Sequence, residues 1–256
     1  MKYCIIGDLE GRTIWKDIIS KENPDITIFL GDYVASREVS PQQEVDTLKE
    51  LLTYKEENPD KVILLRGNHC MEACGYYWAK CYPQACDESK KYLKDNIDRF
   101  LTNTQWIYQI PNTNIICSHA GIAKYFFKKC EGWLITIKGS QYDDNSIDPE
   151  IVLDLINSIP PCELFGFDGH AFDMYGDSST QPCTWIRPTI LIKEGIPGYI
   201  QVVGHTRIGE VSKYPKLKES DCDIWLCDAL INQGYLIIED GEFKPKKFQY
   251  EYKCNK

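Results

Sequence analysis

Lys2-Tyr3-Cys4-Ile5-Ile6-Gly7-Asp8-Leu9-Glu10-Gly11 is a short apolar run that stops at Gly-Asp. A run this short and this apolar reads as a strand buried on both faces, and the glycine lets the chain turn where the strand ends. The same cadence returns at Ile26 to Leu30, closed by Gly31-Asp32, and at Val62 to Leu65, closed by Arg66-Gly67-Asn68-His69. Helical patterns lie between these strands. One runs from about Thr13 to Ser20 and gives way to the turn Asn23-Pro24-Asp25. The next starts at Ser40-Pro41-Gln42-Gln43: Ser40 can cap, Pro41 suits the first helical position and Gln43 can close a capping box. Val45, Leu48, Leu51 and Leu52 then share one face, and Asn58-Pro59-Asp60 ends the helix. Alternating strands and helices with continuous apolar strands indicate a parallel sheet covered on both sides. Each polar motif then stands at the carboxyl end of a strand, where open α/β sheets place their ligand sites.

Outward from this core the signals are weaker. Cys70 to Phe100 is mostly helical and aromatic-rich, and Tyr76-Tyr77-Trp78 reads as helix packing before it reads as a stacking platform. Trp106 to Ile110 and Ile115 to Ser118 are strands around the turn Pro111-Asn112-Thr113-Asn114, followed by His119-Ala120-Gly121 and a helix from Ala123 to Cys130. Residues 139–182 are polar and acidic, interrupted by one helix at about Pro149 to Asn157. They read as an insertion over the site, a cap or substrate loop. The remainder is strand-rich: Trp185-Ile186-Arg187, Tyr199 to Gly204, Ile224 to Cys227, Tyr235 to Glu239 and Phe243 to Tyr250, with Asp240-Gly241 as a hairpin turn.

The chain of 256 residues has room for one large α/β domain or two small ones. A net charge of −9 argues against a general nucleic-acid or anionic-membrane binder, while leaving room for a local cationic site. No apolar run approaches the ~18 residues of a membrane span. The N-terminus enters a strand without a signal-peptide core, so the expected location is cytoplasmic. Of the twelve cysteines, Cys70, Cys74, Cys81 and Cys86 are spaced C-x3-C-x6-C-x4-C. A structural zinc is one reading, but the tight pair of most zinc ribbons is missing, which favours free thiols. Cys4 and Cys117 read as small core hydrophobes inside strands.

In order, the strand-end stretches are Gly7-Asp8-Leu9-Glu10-Gly11, Gly31-Asp32-Tyr33-Val34-Ala35, Gly67-Asn68-His69, His119-Ala120-Gly121 and Gly204-His205-Thr206. Singly, each is an ordinary turn or loop; together, in this order, the sequence resembles the calcineurin-like metallophosphoesterases. Within them it resembles the phosphoprotein-phosphatase branch of bacterial and phage type, with its GDxHG, GDxxD, GNH, HAG and GHT patterns. The resemblance implies an α/β fold, a four-layer α/β/β/α sandwich with central mixed sheets, and one such domain over 1–256 with the cap at about 139–182. It implies two divalent metal ions, one held by Asp8, the residue at position 10 and Asp32, the other by Asp32, Asn68, His119 and His205. A hydroxide between the metals would attack phosphorus in line, and His69 would protonate the leaving oxygen. Arg187 resembles a phosphate-holding arginine of related phosphatases; Arg37 and Arg66 are further candidates, Arg66 more as a structural residue. His170 matches no motif.

Two positions depart from the family pattern. Glu10 stands where the family has histidine. As a ligand it would lower the positive charge of the site and make its water harder to deprotonate, so an alkaline optimum is expected; more oxygen ligands favour manganese or magnesium over zinc, so manganese is the expected metal, with magnesium, iron and zinc as alternatives. Ala35 stands where an aspartate would orient His69, so a rate penalty is expected. Ser36 also replaces a phosphate-binding arginine, with Arg37 one residue on. The expected activity is metal-dependent hydrolysis of a phosphorylated substrate: a protein, a nucleotide or a small phosphoester. The alternatives are a weakened phosphatase fold that binds a phosphorylated partner, and a phosphodiesterase or dinucleotide hydrolase with a different cap.

Overall fold

A computed structural model describes residues 1–76, 85–138, 149–164, 175–216, 218 and 222–249. The first unit is β1 (Lys2–Ile6), α1 (Trp15–Glu22), β2 (Ile26–Phe29), α2 (Pro41–Glu57) and β3 (Val62–Leu64). As expected, β1, β2 and β3 pair in parallel. Ser40 caps α2, its hydroxyl accepting from the Gln43 backbone N–H at 3.2 Å, with Pro41 in the first turn. The Gln43 side chain does not close the box. It donates instead to the Gly11 carbonyl at 3.3 Å, as does the Thr47 hydroxyl at 3.0 Å, so α2 holds the loop that follows β1.

Next come the short helices α3 (Asn68–Ala73), α4 (Asp87–Asp95) and α5 (Ile97–Asn103), then β4 (Ile107–Gln109) and β5 (Ile115–Ser118). Helices α6 (Lys124–Lys138), α7 (Pro149–Ser158), α8 (Pro161–Leu164) and α9 (Pro188–Glu194) follow. The strands β6 (Ile200–Val203), β7 (Ser212–Lys213), β8 (Asp223–Leu226), β9 (Gly234–Glu239) and β10 (Glu242–Lys247) complete the described elements. Asp240 and Gly241, both at positive φ, make the tight β9–β10 turn.

Two five-stranded mixed sheets result, ordered β10-β9-β1-β2-β3 and β4-β5-β6-β8-β7. The mixed sheets of the expected four-layer sandwich are present, and the parallel trio is covered on both sides, by helices on one and by the second sheet on the other. Antiparallel β9 and β10 extend the parallel trio, and one of its faces meets the other sheet. Alternation along β1 shows the division. Cys4 and Ile6 pack with Ile18, Leu48 and Leu51 of the helices, whereas Tyr3 and Ile5 pack with Ile115, Cys117 and Val202 of the second sheet. An apolar run satisfies either neighbour, so its composition could not tell a helix from a sheet above it. On the far side, α9 lays Leu191 and Ile192 against Val203, Ile224 and Leu226. The layers are therefore α/β/β/α.

Trp185-Ile186-Arg187, expected as a strand, is instead the turn into α9. Pro188 occupies the first turn of that helix and Arg187 its N-cap, a use of proline that starts helices. The helix was masked by its β-branched Thr189-Ile190 and Ile192. The expected helix at Pro149 is present, and Cys4 and Cys117 are fully buried. Cys81, Tyr77, Trp78 and His170 lie outside the described residues, as does much of the expected cap. Cys70 and Cys74 are buried, and Cys86 caps α4 and bonds Ser89 and Glu44 through sulfur.

One buried ion cluster pins α1 to the first sheet. Glu22 takes bonds from Tyr235 Oη at 2.7 Å and Lys246 Nζ at 2.9 and 3.0 Å, and pairs with Lys2 Nζ at 2.8 Å. Burial alone would raise its pKa, but the bonds from Lys2, Tyr235 and Lys246 outweigh it and bring the group down to about 2. A depressed carboxylate contributes stability above its unfolded pKa near 4.5 and loses it as pH falls toward about 2. Glu22→Gln is expected to cost about 2 kcal/mol at pH 7 in urea unfolding. The wild-type advantage should vanish as pH approaches 2.

Candidate functional site

The motif residues follow strand ends, as their spacing implied. Asp8 comes after β1, Asp32 after β2, Asn68 and His69 after β3, His119 after β5 and His205 after β6. The two sheets bring these ends to one edge, where a cleft of about 610 Å³ opens. Asp8, Glu10, Asp32, His69, His205, Arg37 and Arg187 all line it.

His119 is fully buried. Its Nδ1–H donates to the Leu30 carbonyl at 2.8 Å, which leaves Nε2 facing two oxygens, Asn68 Oδ1 at 2.8 Å and Asp32 Oδ2 at 3.3 Å. A neutral imidazole would put a lone pair against lone pairs here. The arrangement calls for a proton or a metal cation at Nε2. Burial lowers the His119 pKa, but Asp32 and Asp8 overcome it and push it up to about 9. Asp32 moves the other way: burial would raise it, and His119, His69 and His205 hold it well below the carboxylate range. Among the described residues the Nε2 of His205 is buried without a hydrogen-bond partner, and burial with His119 and Arg187 pushes its pKa well down, keeping it neutral as a ligand must be. Ligand atoms of Asp32, His119 and His205 lie within 4.8 Å of one another, a grouping that could hold a metal ion. Among the described residues Cys70, Cys74 and Cys86 join no such group.

Two glycines explain how tightly the carboxylates are set. A Cβ on Gly67 would lie 2.1 Å from Asp32 Oδ1, and one on Gly204 would lie 2.4 Å from Asp8 Oδ1. Bare backbone allows each carboxylate to receive an N–H: His69 N–H donates to Asp32 Oδ1 at 2.9 Å, and His205 N–H to Asp8 Oδ1 at 2.9 Å. Glu10, Asp32, Ala35 and His205 all sit at positive φ. Such strain persists where the surroundings dictate it, and it gathers here around the cleft.

The residues expected around the first metal are arranged differently. Asp8 is buried and its pKa is raised well above the ordinary value, by burial first and then by Asp228. Glu10 turns both oxygens to arginine: Oε2 accepts from Arg12 Nη1 at 2.7 Å and Oε1 from Arg207 Nη2. The histidine-side set therefore fits a divalent ion, whereas Glu10 is already engaged by two cations. His69 lines the cleft with its Nδ1 buried and unpartnered among the described residues, and Ala35 beside it offers no carboxylate.

Of the three candidate arginines, two reach the cleft. Arg37 is exposed on its wall. Arg187 donates from Nη1 to the His205 carbonyl at 3.4 Å and Thr206 Oγ1 at 3.2 Å. Arg66 is not brought there. It is buried, spends Nε on Thr104 Oγ1 and Nη2 on the Leu101 and Thr104 carbonyls, and lies over the Trp106 ring at 4.6 Å. Burial pushes its pKa down to about 10. Cleft residues that sequence reasoning missed are Asp228, Arg207, Trp185, Tyr175 and Asp177. Asp228 had a signal: it follows β8 as Asp8 and Asp32 follow their strands, but no glycine precedes it. Burial and then Glu10 push its pKa up to about 6.

A family model described as calcineurin-like phosphoesterase matches residues 11–175, more than half of the chain. No curated protein matches the chain in sequence. Among solved structures, a protein serine/threonine phosphatase from Saccharomyces cerevisiae, described as similar to human phosphatase PP5, has a TM-score of 0.50 at 14% identity, covering 98% of this chain and 81% of its own. A metallophosphoesterase from Sphaerobacter thermophilus has a TM-score of 0.41 at 14% identity, covering 98% and 89%.

Gly67→Ala should displace Asp32 and weaken manganese binding by about tenfold or more, read by calorimetric titration, the size of effect typical when support behind a ligand is removed. Arg66→Met should instead lower stability by about 3 kcal/mol, through the carbonyls it abandons, and leave the affinity for inorganic phosphate unchanged.

Proposed function

The chain belongs to the calcineurin-like phosphoesterases, which are metal-dependent phosphoester hydrolases, and from that premise we propose that it is a phosphatase acting on phosphomonoesters of protein or small molecules. The observation that carries this reading is His119 Nε2, aimed at Asn68 Oδ1 and Asp32 Oδ2 beside the orphaned Nε2 of His205. That is a cavity of negative and lone-pair character, suited to a divalent ion. Asp32, Asn68, His119 and His205 would hold it, with Asp8 facing the same edge. Asp32 and Asn68 give that set two oxygen donors, and Asp8 at the same edge could add a third, a mixture that favours manganese or magnesium over zinc. Divalent metal, when bound, supplies neutralisation of phosphoryl charge and acidifies the attacking water.

The protein groups take the remaining tasks. Arg187 offers guanidinium hydrogens to phosphate oxygens from a position fixed by the 205–206 backbone and Thr206. His69 lines the cleft and is placed to hand a proton to the leaving oxygen. Its backbone N–H is tied to Asp32, so the loop carrying the acid is fixed by a metal-binding carboxylate. Ala35 leaves the imidazole without an orienting anion, which predicts a slow enzyme. We read the chain as one catalytic domain. The presence of Tyr175 and Asp177 on the cleft wall supports a substrate-facing role for the 139–182 insertion. Ala35 also favours a second reading, a module that binds phosphorylated protein with little turnover.

Hydrolysis of p-nitrophenyl phosphate with added manganese tests the choice. Wild type should turn over, and Asp32→Asn and His119→Ala should each lose about a hundredfold or more. Equal rates in all three would refute the assignment, and tight phosphopeptide binding without turnover would favour the module.

A further inference from the structure

Glu10 and Arg207 are 197 positions apart and meet in the cleft. The Glu10 backbone is fixed first. Its N–H donates to the Asp32 carbonyl at 2.8 Å, and its φ is +45°. From there the side chain joins two guanidiniums of unlike status. Arg12 is mostly enclosed and consumed, with Nη1 on Glu10 and Nη2 on Glu38 at 3.0 Å. Arg207 makes one bond, through Nη2 to Glu10, and its remaining donors have no partner among the described residues. Its side chain is 48% exposed and lines the cleft. It directly follows Gly204-His205-Thr206, the turn that Asp8 and Arg187 brace from either side.

We propose that Arg207 is a phosphate-binding residue of this cleft and that Glu10 is its positioning residue, not a metal ligand. The proposal rests on the phosphoester reading above. Glu10 accepts from Nη2, and the second Nη2 hydrogen, paired with Nη1 or Nε on the edge left free, can take two non-bridging oxygens of a phosphate dianion in parallel, a geometry lysine does not reproduce. Both Glu10 oxygens already accept charge-assisted bonds, and Glu10 stands outside the group formed by Asp32, His119 and His205. Its charge is offset by arginine and is not subtracted from the metal centre. The alkaline optimum that a Glu10 ligand would impose then does not follow.

The test is calorimetric titration of inorganic phosphate into manganese-loaded protein, with manganese per chain measured by elemental analysis. Arg207→Ala should weaken phosphate binding by about tenfold or more with manganese content unchanged, and Arg207→Lys should recover only part of it. Glu10→Gln should shift phosphate affinity in the same direction and also keep its manganese. Glu10→Gln combined with Arg207→Ala should bind no more weakly than Arg207→Ala alone, because the two act as a unit. With p-nitrophenyl phosphate, the loss should fall on KM more than on kcat. Manganese lost in Glu10→Gln, or phosphate affinity unchanged in Arg207→Ala, overturns the proposal. Phosphate binding that depends on Arg207 in a protein that hydrolyses no phosphomonoester would sustain the pair and sink the hydrolase reading. Full turnover with unchanged affinity in Arg207→Ala would do the reverse.

Discussion

Asp32 is a charged carboxylate buried almost completely where the two sheets meet, and the rest of the site is arranged to make that tolerable. An ionised carboxylate taken from water costs several kcal/mol unless it is paired and bonded. Its partners come from three separate segments: the His69 backbone N–H after β3, His119 after β5 and His205 after β6. His69 comes from the neighbouring strand of the same sheet, but neither imidazole would converge on Asp32 unless the second sheet packed face to face on the first. The sheet–sheet interface of Tyr3, Ile5, Ile28, Cys117 and Val202 thus has a chemical consequence. It sets the distance between Asp32 and the imidazoles. Gly67 belongs to the same constraint, since any side chain there would occupy the space of Asp32 Oδ1.

A second network surrounds the first and is braced from outside. Glu44 of α2 is buried, and its carboxylate takes the Ser36 N–H at 2.7 Å and the Ser89 hydroxyl at 2.6 Å. The Ser36 hydroxyl accepts from Glu38 and Val39 N–H, which folds the loop bearing Ala35 and Arg37 back on itself. Glu38 then reaches Arg12, Arg12 reaches Glu10, and Glu10 reaches Arg207. A change in α2 packing therefore has a bonded route to the cleft wall, through hydrogen bonds and ion pairs.

What the sequence revealed and what it hid follow from the range of the forces involved. Asp8, Asp32, His69, His119 and His205 were legible because each stands at its own strand end and together the stretches match the family's motifs in order. The parallel trio β1–β2–β3 was legible for the same reason. The partner of Glu10 was not, because Arg207 lies 197 residues away and only the folded chain joins them. Reading Glu10 by its position in a motif made it a ligand candidate; reading it by its bonds places it among arginines. Arg66 resisted assignment in the opposite sense. Its neighbour Gly67 belongs to the site, yet the Arg66 side chain turns inward to Thr104 and Trp106. Trp185-Ile186-Arg187 suggested a strand, whereas the chain turns there into α9, whose Leu191 and Ile192 pack against the second sheet.

The charge balance of the cleft says when an anion can enter. Among the described residues that line it, Asp8, Glu10, Asp32, Asp177 and Asp228 face only three guanidiniums, those of Arg37, Arg187 and Arg207. Burial pushes Asp8 and Asp228 upward, and the neighbouring carboxylates Asp228 and Glu10 add to those respective shifts. On the proposed reading, that surplus of carboxylates would oppose a phosphate dianion until a divalent ion at Asp32, His119 and His205 reversed the sign locally. The arginines on the wall would then add to an attraction, and metal and phosphate affinities would be linked, each raising the other by the same factor.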